Sequence, residues 1–203
     1  AASLGVLASA SATVEELYLL GRIARGLGTN DIDHRLRQTD FRDEGDDPRF
    51  PSLGGLAIAA VDTLDALLVV GSNLRREVPM LANRVRKAAI RGGRVAFVNP
   101  TKLPYLFPVA GYVETGAELV SGLAAVLAAA LEAGGQQPAD NVAALVRAVK
   151  VGDEHRTAAA ALAQGERKAI WLGALALRHP AYADLRALAA SLAAVTGATL
   201  GVL

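Results

Sequence analysis

The sequence predicts an α/β fold in which mostly parallel sheets are flanked by helices. Three runs carry that expectation: ALLVV at 66–70, RVAFV at 94–98 and KAIWLGA at 168–174 are almost unbroken in apolar residues. A strand covered on both faces shows no polar alternation, and such strands belong to parallel sheets. Segments with helical spacing lie between them, and that alternation calls for right-handed crossovers. Hydrophobic residues make up 52% of the 203 but aromatics only 4%, so the core must be built from Ala, Leu and Val. The length suffices for one large domain or two small ones.

Taken in order, LGVLA at 4–8 is a short apolar strand. Thr13 is placed to cap a helix whose first turn carries Glu15 and Glu16. Leu17, Leu20, Ile23, Ala24 and Leu27 then recur at helical spacing, and Gly28 suits its end. DFRDEGDDPRFPSLGG is a loop by composition, and LGGLAIAAVDT reads as a short helix. After the strand at 66–70, GSN is a turn and Pro79 opens a helix to about Arg91. The strand at 94–98 leads into the irregular NPTKLPYLFP. VAGYVE is a further strand, and a helix follows from about Ala117 to Glu132. NVAALVRAVK and EHRTAAAALAQG are helical. Beyond the strand at 168–174, a last helix spans about Ala181 to Thr196 and ATLGVL begins another strand.

Composition excludes several chemistries. With no cysteine, these residues hold no disulfide, thiolate metal site or cysteine nucleophile. No apolar run reaches the ~20 residues of a membrane span, and no signal-peptide pattern is present. A net charge of +1 offers no global attraction to nucleic acid or acidic lipid. The chain therefore reads as an internal piece of a longer cytoplasmic protein, with no direct membrane insertion.

In α/β folds ligands gather at the carboxyl ends of strands. VVGSN puts Gly71, Ser72 and Asn73 there, but with the next helix read as starting near Pro79 a plain turn is the simpler reading. GRIARGLGT at 21–29 has the glycines of a phosphate loop, yet it lies within a helix and lacks the Lys-Ser/Thr pair. No G-x-G-x-x-G follows a strand, and no serine occupies a G-x-S-x-G elbow. Arg75, Arg76, Arg84, Arg86, Lys87, Arg91 and Arg94 cluster around one helix. Without stacking aromatics or a reader helix, they fit a solvated face or a docking surface better than a nucleic-acid site. Trp171 reads as core, and His155 and His179 as surface residues. NDIDHRLRQTDF at 30–41 offers Asp31, Asp33, His34 and Asp40 as metal ligands. Arg35 and Arg37 compete for those carboxylates, which favours a salt-bridged turn.

The ordered series LGVLASASATVEELYLLGRIARGLGTNDID, AAVDTLDALLVVGSNLRREVPMLANRVRKAAIRGGRVAFVNP and KAIWLGALALRHPAYADLRALAASLAAVTGATLG resembles the molybdopterin oxidoreductase superfamily over nearly the whole chain. Within it, DHRLRQTDF looks most like the large iron–sulfur subunits of bacterial NADH-quinone oxidoreductase, respiratory complex I. The resemblance implies a lobe formed by 1–33 and 150–203, with 34–149 inserted as a second, Rossmann-like α/β lobe, as in the first domains of formate dehydrogenase and DMSO reductase.

It also implies that Thr39 stands where relatives ligate molybdenum or tungsten through cysteine, selenocysteine or serine. Asp40 then falls where a catalytic histidine often lies. After the strand at 94–98, NPT replaces the family's D-P-R. Asn99 is unable to accept two hydrogen bonds as a carboxylate does, and Thr101 lacks the arginine's charge. Gly71 and Asn73 match the family's strand-end glycine and asparagine. The implied picture is a vestigial pocket at Gly71, Ser72, Asn73 and Asn99, with no catalytic residue, metal or cofactor in this segment. Iron–sulfur clusters belong to the parent protein's N-terminal region, the partners are the other subunits of complex I, and the place is peripheral, on the cytoplasmic side of the bacterial inner membrane. The alternative is part of a working formate-dehydrogenase-like enzyme.

Overall fold

The computed structural model describes residues 4–9, 11–34, 40, 42 and 52–203. Two compact units divide the chain, Ala1–Thr39 and Asp40–Leu203.

In the first unit, β1 (Val6–Leu7) is followed by α1 (Val14–Gly26) and β2 (Ile32–Asp33). Val6 and Leu7 pair in parallel with Ile32 and Asp33. Thr13 caps α1 reciprocally: its hydroxyl accepts from the Glu16 N–H at 3.2 Å, and the Glu16 carboxylate accepts from the Thr13 N–H at 2.8 Å. Thr29 ties the ends of this unit together by donating to the Leu4 carbonyl at 2.8 Å.

The second unit is built on a five-stranded parallel sheet. Its strands are β3 (Ala66–Val70), β4 (Arg94–Asn99), β5 (Gly111–Glu114), β6 (Lys168–Leu172) and β7 (Thr199–Val202), in the order β5-β4-β3-β6-β7. Helices α2 (Leu74–Glu77) and α3 (Pro79–Ile90) connect β3 to β4. Four more, α4 (Leu119–Gly134), α5 (Asp140–Arg147), α6 (Asp153–Leu162) and α7 (Ala174–Leu177), precede α8 (Tyr182–Thr196).

Every second residue of the central strands faces a different core. Leu68, Val70, Ala96, Val98, Ile170 and Leu172 pack with α4, α6 and α8. Leu67, Val69, Val95, Phe97, Ala169 and Trp171 pack with α3 and the 3-10 turns at Leu53–Gly55 and Ile58–Thr63. Burial on both faces is the reason these strands read as unbroken apolar runs. The shortage of aromatics is met by close approach. Alanines at 124, 125, 128 and 129 are buried along α4, and Gly111 on β5 lets the backbone of α6 at Ala158 lie against it.

Three local differences from the sequence-based expectations have clear causes. LGGLAIAAVDT forms two 3-10 turns, because Gly54 and Gly55 take φ of 70° and 79° and break the helix. GSN leads directly into the one-turn helix α2. Val78, with φ −139° and ψ 66°, separates α2 from α3 because the ring of Pro79 disfavours a helical residue before it. The division at 149/150 differs as well, since β6 pairs in register with β3 from Ala66↔Lys168 to Val70↔Leu172. Strands from 34–149 and from 150–203 thus share one sheet. No helix among the described residues is long and apolar enough to cross a membrane.

Candidate functional site at the carboxyl ends of β3 and β6

The chain runs from β3 outward through β4 to β5, then returns to β6 on the other side of β3. The strand order reverses between β3 and β6, where an open α/β sheet parts to admit a ligand. The loops facing this switch point are Gly71–Asn73 after β3 and Gly173–Ala174 after β6.

Those loops are knitted to each other. Gly71 has φ of 64°, and its carbonyl accepts from the Leu175 N–H at 2.9 Å. A Cβ on Gly173 would run into the Ser72 Cβ, so only glycine permits this approach. Asn99, at the end of β4, is 1% exposed and Ser72 is fully buried. The Asn99 carboxamide closes a ring with Ser72, accepting from its N–H at 2.8 Å and donating to its carbonyl at 3.0 Å. It also donates to the Tyr112 hydroxyl at 3.2 Å, while that hydroxyl donates to the Thr101 carbonyl at 2.7 Å.

Glu77, to which the sequence alone draws no attention, completes the arrangement. Its carboxylate accepts from the Ser72 hydroxyl at 2.8 Å, the Asn73 N–H at 2.9 Å and the Ala174 N–H at 3.1 Å. One internal anion therefore bridges the strand ends on both sides of the switch point. The available signal is an acidic residue four positions after Asn73, at the end of a short helix that GSN, read as a plain turn, conceals. Beside it Tyr105 stacks on Phe97, with ring centroids 4.4 Å apart. Burial first, then the neighbouring Tyr112, pushes its phenol up to about 12.

The other candidates are placed as follows. Thr39, Arg35 and Arg37 lie outside the described residues. Asp31, Asp33 and His34 belong to the first unit, and His34 N–H donates to its neighbour Asp33 at 2.7 Å. Asp40 belongs to the second, where its side chain is only 4% exposed. It accepts from Arg42 at 2.9 Å and from the Ala183 N–H at 2.9 Å, while Arg42 also pairs with Asp184 at 3.0 Å. Asp40 thus caps the amino end of α8 and is held by an arginine that its local sequence does not single out. No group of three or more metal-ligating side chains occurs among the described residues. His155 accepts from the Gly152 N–H at 2.9 Å and its side chain is only 13% exposed, so it is a helix cap and not a surface residue. His179 accepts from the Ala181 N–H at 3.1 Å.

Two aspartates make the second unit acid-sensitive. The Arg42 guanidinium holds the Asp40 carboxyl well below the usual carboxylate range, with burial opposing and the Ala183 N–H assisting. The Arg167 guanidinium, then the N–H groups of Arg167 and Glu166, lower Asp65 to about 2, tying the start of β3 to the start of β6. A depressed folded pKa stabilises the native state above the unfolded value and loses that contribution as pH falls through the folded one. The resistance of the wild-type chain to denaturant should fall as pH drops from about 4 towards 2. The Asp65→Asn variant should show a shallower pH slope there; an unchanged slope refutes the assignment.

The comparisons with known proteins fit this architecture. The model of the molybdopterin oxidoreductase family matches residues 2–201. The G subunit of the NADH-quinone oxidoreductase of Streptomyces coelicolor is 31% identical over 195 residues, covering 84% of this chain and 23% of that protein. The alpha subunit of the F420-dependent formate dehydrogenase of Methanocaldococcus jannaschii is 31% identical over 103 residues, covering 49% of this chain and 15% of the relative. The chain thus spans less than a quarter of the length of these relatives. Among solved structures, a chain of the formyltransferase/hydrolase complex of Methylorubrum extorquens in complex with methylofuran shares the fold. Its TM-score is 0.60 at 16% identity, covering 98% of this chain and 52% of that one. Motif order, parallel sheet and family match agree: the chain belongs to the molybdopterin oxidoreductase family.

Proposed function

We propose that the chain is an internal segment of the large iron–sulfur subunit, the G subunit, of a bacterial NADH-quinone oxidoreductase, and that the segment is a catalytically silent scaffold. In this reading the parent complex passes electrons from NADH through iron–sulfur clusters to quinone and couples the transfer to proton translocation. The clusters are held by the parent's N-terminal region. The segment works beside other complex I subunits, peripherally, on the cytoplasmic side of the inner membrane. The extent of the match to the Streptomyces protein supports the assignment.

The observation that carries the silent role is the self-bonded switch point. A pterin dinucleotide brings pyrophosphate, which needs free N–H groups or positive charge. Here the Ser72, Asn73 and Ala174 N–H groups are bonded to Asn99 and Glu77, and Glu77 adds negative charge. These residues do not fit that group. At the family's metal-ligand position, threonine supplies a neutral hydroxyl in place of a thiolate, selenolate or activated serine.

A second reading, part of a working formate-dehydrogenase-like enzyme, is favoured by the likeness to the Methanocaldococcus protein. Elemental analysis of the purified full-length parent protein separates the two. The scaffold reading expects iron but no stoichiometric molybdenum or tungsten; either metal at one per chain overturns it.

A further inference from the structure

We propose that the outward face of α2 and α3 docks an acidic surface of a neighbouring protein subunit. The inference rests on the reading of the chain as part of a multisubunit assembly and adds the face and the partner's chemistry. Helix α3 buries Ala82, Val85, Ala88 and Ala89. Met80, Asn83, Lys87 and Ile90 recur at three- and four-residue spacing on its other side. Met80 is 78% exposed and Ile90 57%, so large apolar groups mark both ends of this stripe.

A third apolar group is brought alongside by the same basic residues. Arg75 donates to the Pro104 carbonyl at 3.3 Å and Arg86 to the Leu106 carbonyl at 3.4 Å, and Leu106 is 81% exposed. These long bonds to neutral carbonyls hold the loop without cancelling the arginine charges.

The charge on this face is one-sided. Residues 74–91 contain six basic side chains and one acidic one, Glu77, whose carboxylate is turned into the strand-end loops. Asp62 is shared by Arg84 at 3.0 Å and Lys87 at 3.9 Å. Most of the positive charge is therefore left for a partner, although the whole chain carries only +1. Arginine and methionine beside exposed apolar anchors match the composition of protein interface cores. A phosphate backbone would use the arginines and leave Met80, Ile90 and Leu106 in water. Membrane-surface binding scales with the apolar area buried, and here the polar Asn83 and Lys87 separate Met80 from Ile90 so that no continuous apolar face is offered.

The test uses the tagged full-length parent protein expressed in its own cells, with a photo-crosslinking phenylalanine derivative at Met80 and, as a control on another face, at Ala133. The proposal expects a crosslink from position 80, absent from 133, to an acidic segment of a co-purifying subunit. The double variant Met80→Glu, Ile90→Glu, on exposed side chains that hold no other part of the fold and so leave the melting curve unchanged, should reduce recovery of that subunit roughly tenfold or more.

Subunits that co-purify without a crosslink at position 80, or undiminished by the double variant, overturn the docking face and leave the assembly reading standing. Failure of any subunit to co-purify overturns both. Crosslinks to nucleic acid or lipid overturn the protein partner. So does binding of a short DNA duplex or of phosphatidylserine vesicles that the double variant abolishes.

Discussion

Replacing Trp171 by alanine is expected to destabilise the second unit by about 3–5 kcal/mol, the range for emptying a buried aromatic site. Trp171 lies in β6, is fully buried, and packs among Leu67, Val69, Phe97 and Ala169 on the α3 side of the sheet. Its neighbours are themselves close-packed against the sheet, Phe97 among them, so they can refill the space only in part. Its indole N–H finds no acceptor among the described residues, and a buried donor without a partner costs about 1–3 kcal/mol. Trp171→Phe removes that donor and keeps most of the ring, so its cost should stay near or below about 1 kcal/mol. Urea unfolding of the two variants checks the pair. A phenylalanine variant as damaged as the alanine one would mean that the indole N–H is bonded after all.

Gly71→Ala is the second large effect. The residue holds φ of 64°, and an added Cβ would stand 2.6 Å from the Ala176 backbone nitrogen and 2.9 Å from its Cβ. Left-handed strain costs about 1–2 kcal/mol, and forcing an atom into packed backbone typically adds about 1–3 kcal/mol. A loss of about 3 kcal/mol lowers the melting temperature on the order of 10 °C for a unit of this size. Thermal unfolding followed by circular dichroism reads this directly. A shift of only about 1–2 °C, well short of that scale, would show that the strand ends of β3 and β6 yield easily. It would also remove the argument that the switch point is locked.

The strand-end site was legible in part. Gly71, Ser72 and Asn73 follow from the apolar run that ends just before them, because a strand's carboxyl end is visible wherever the run stops, whereas Asn99 is pointed to only by the family resemblance. Their engagement with one another was not legible. Ser72 and Asn99 meet across 27 residues, and Glu77 reaches Ala174 across 97. Asp40 draws notice for its acidic neighbours, yet its charge is matched by Arg42 and by the amino end of α8, where it meets Ala183 across 143 residues.

Local chemistry along the chain was enough to set the elements: continuous apolar runs for strands buried on two faces, helical spacing between them, the Thr13–Glu16 cap and the break before Pro79. These depend on steric and solvation preferences acting within a few residues of the chain. Only the assembled fold puts β6 beside β3, so that one sheet crosses the expected boundary at 149/150, and lets Glu77 bridge its two halves. Doubly buried strands carry interchangeable apolar patterns, which say that each strand has neighbours but not which ones. The polar contacts at their ends exist only after the neighbours have been chosen.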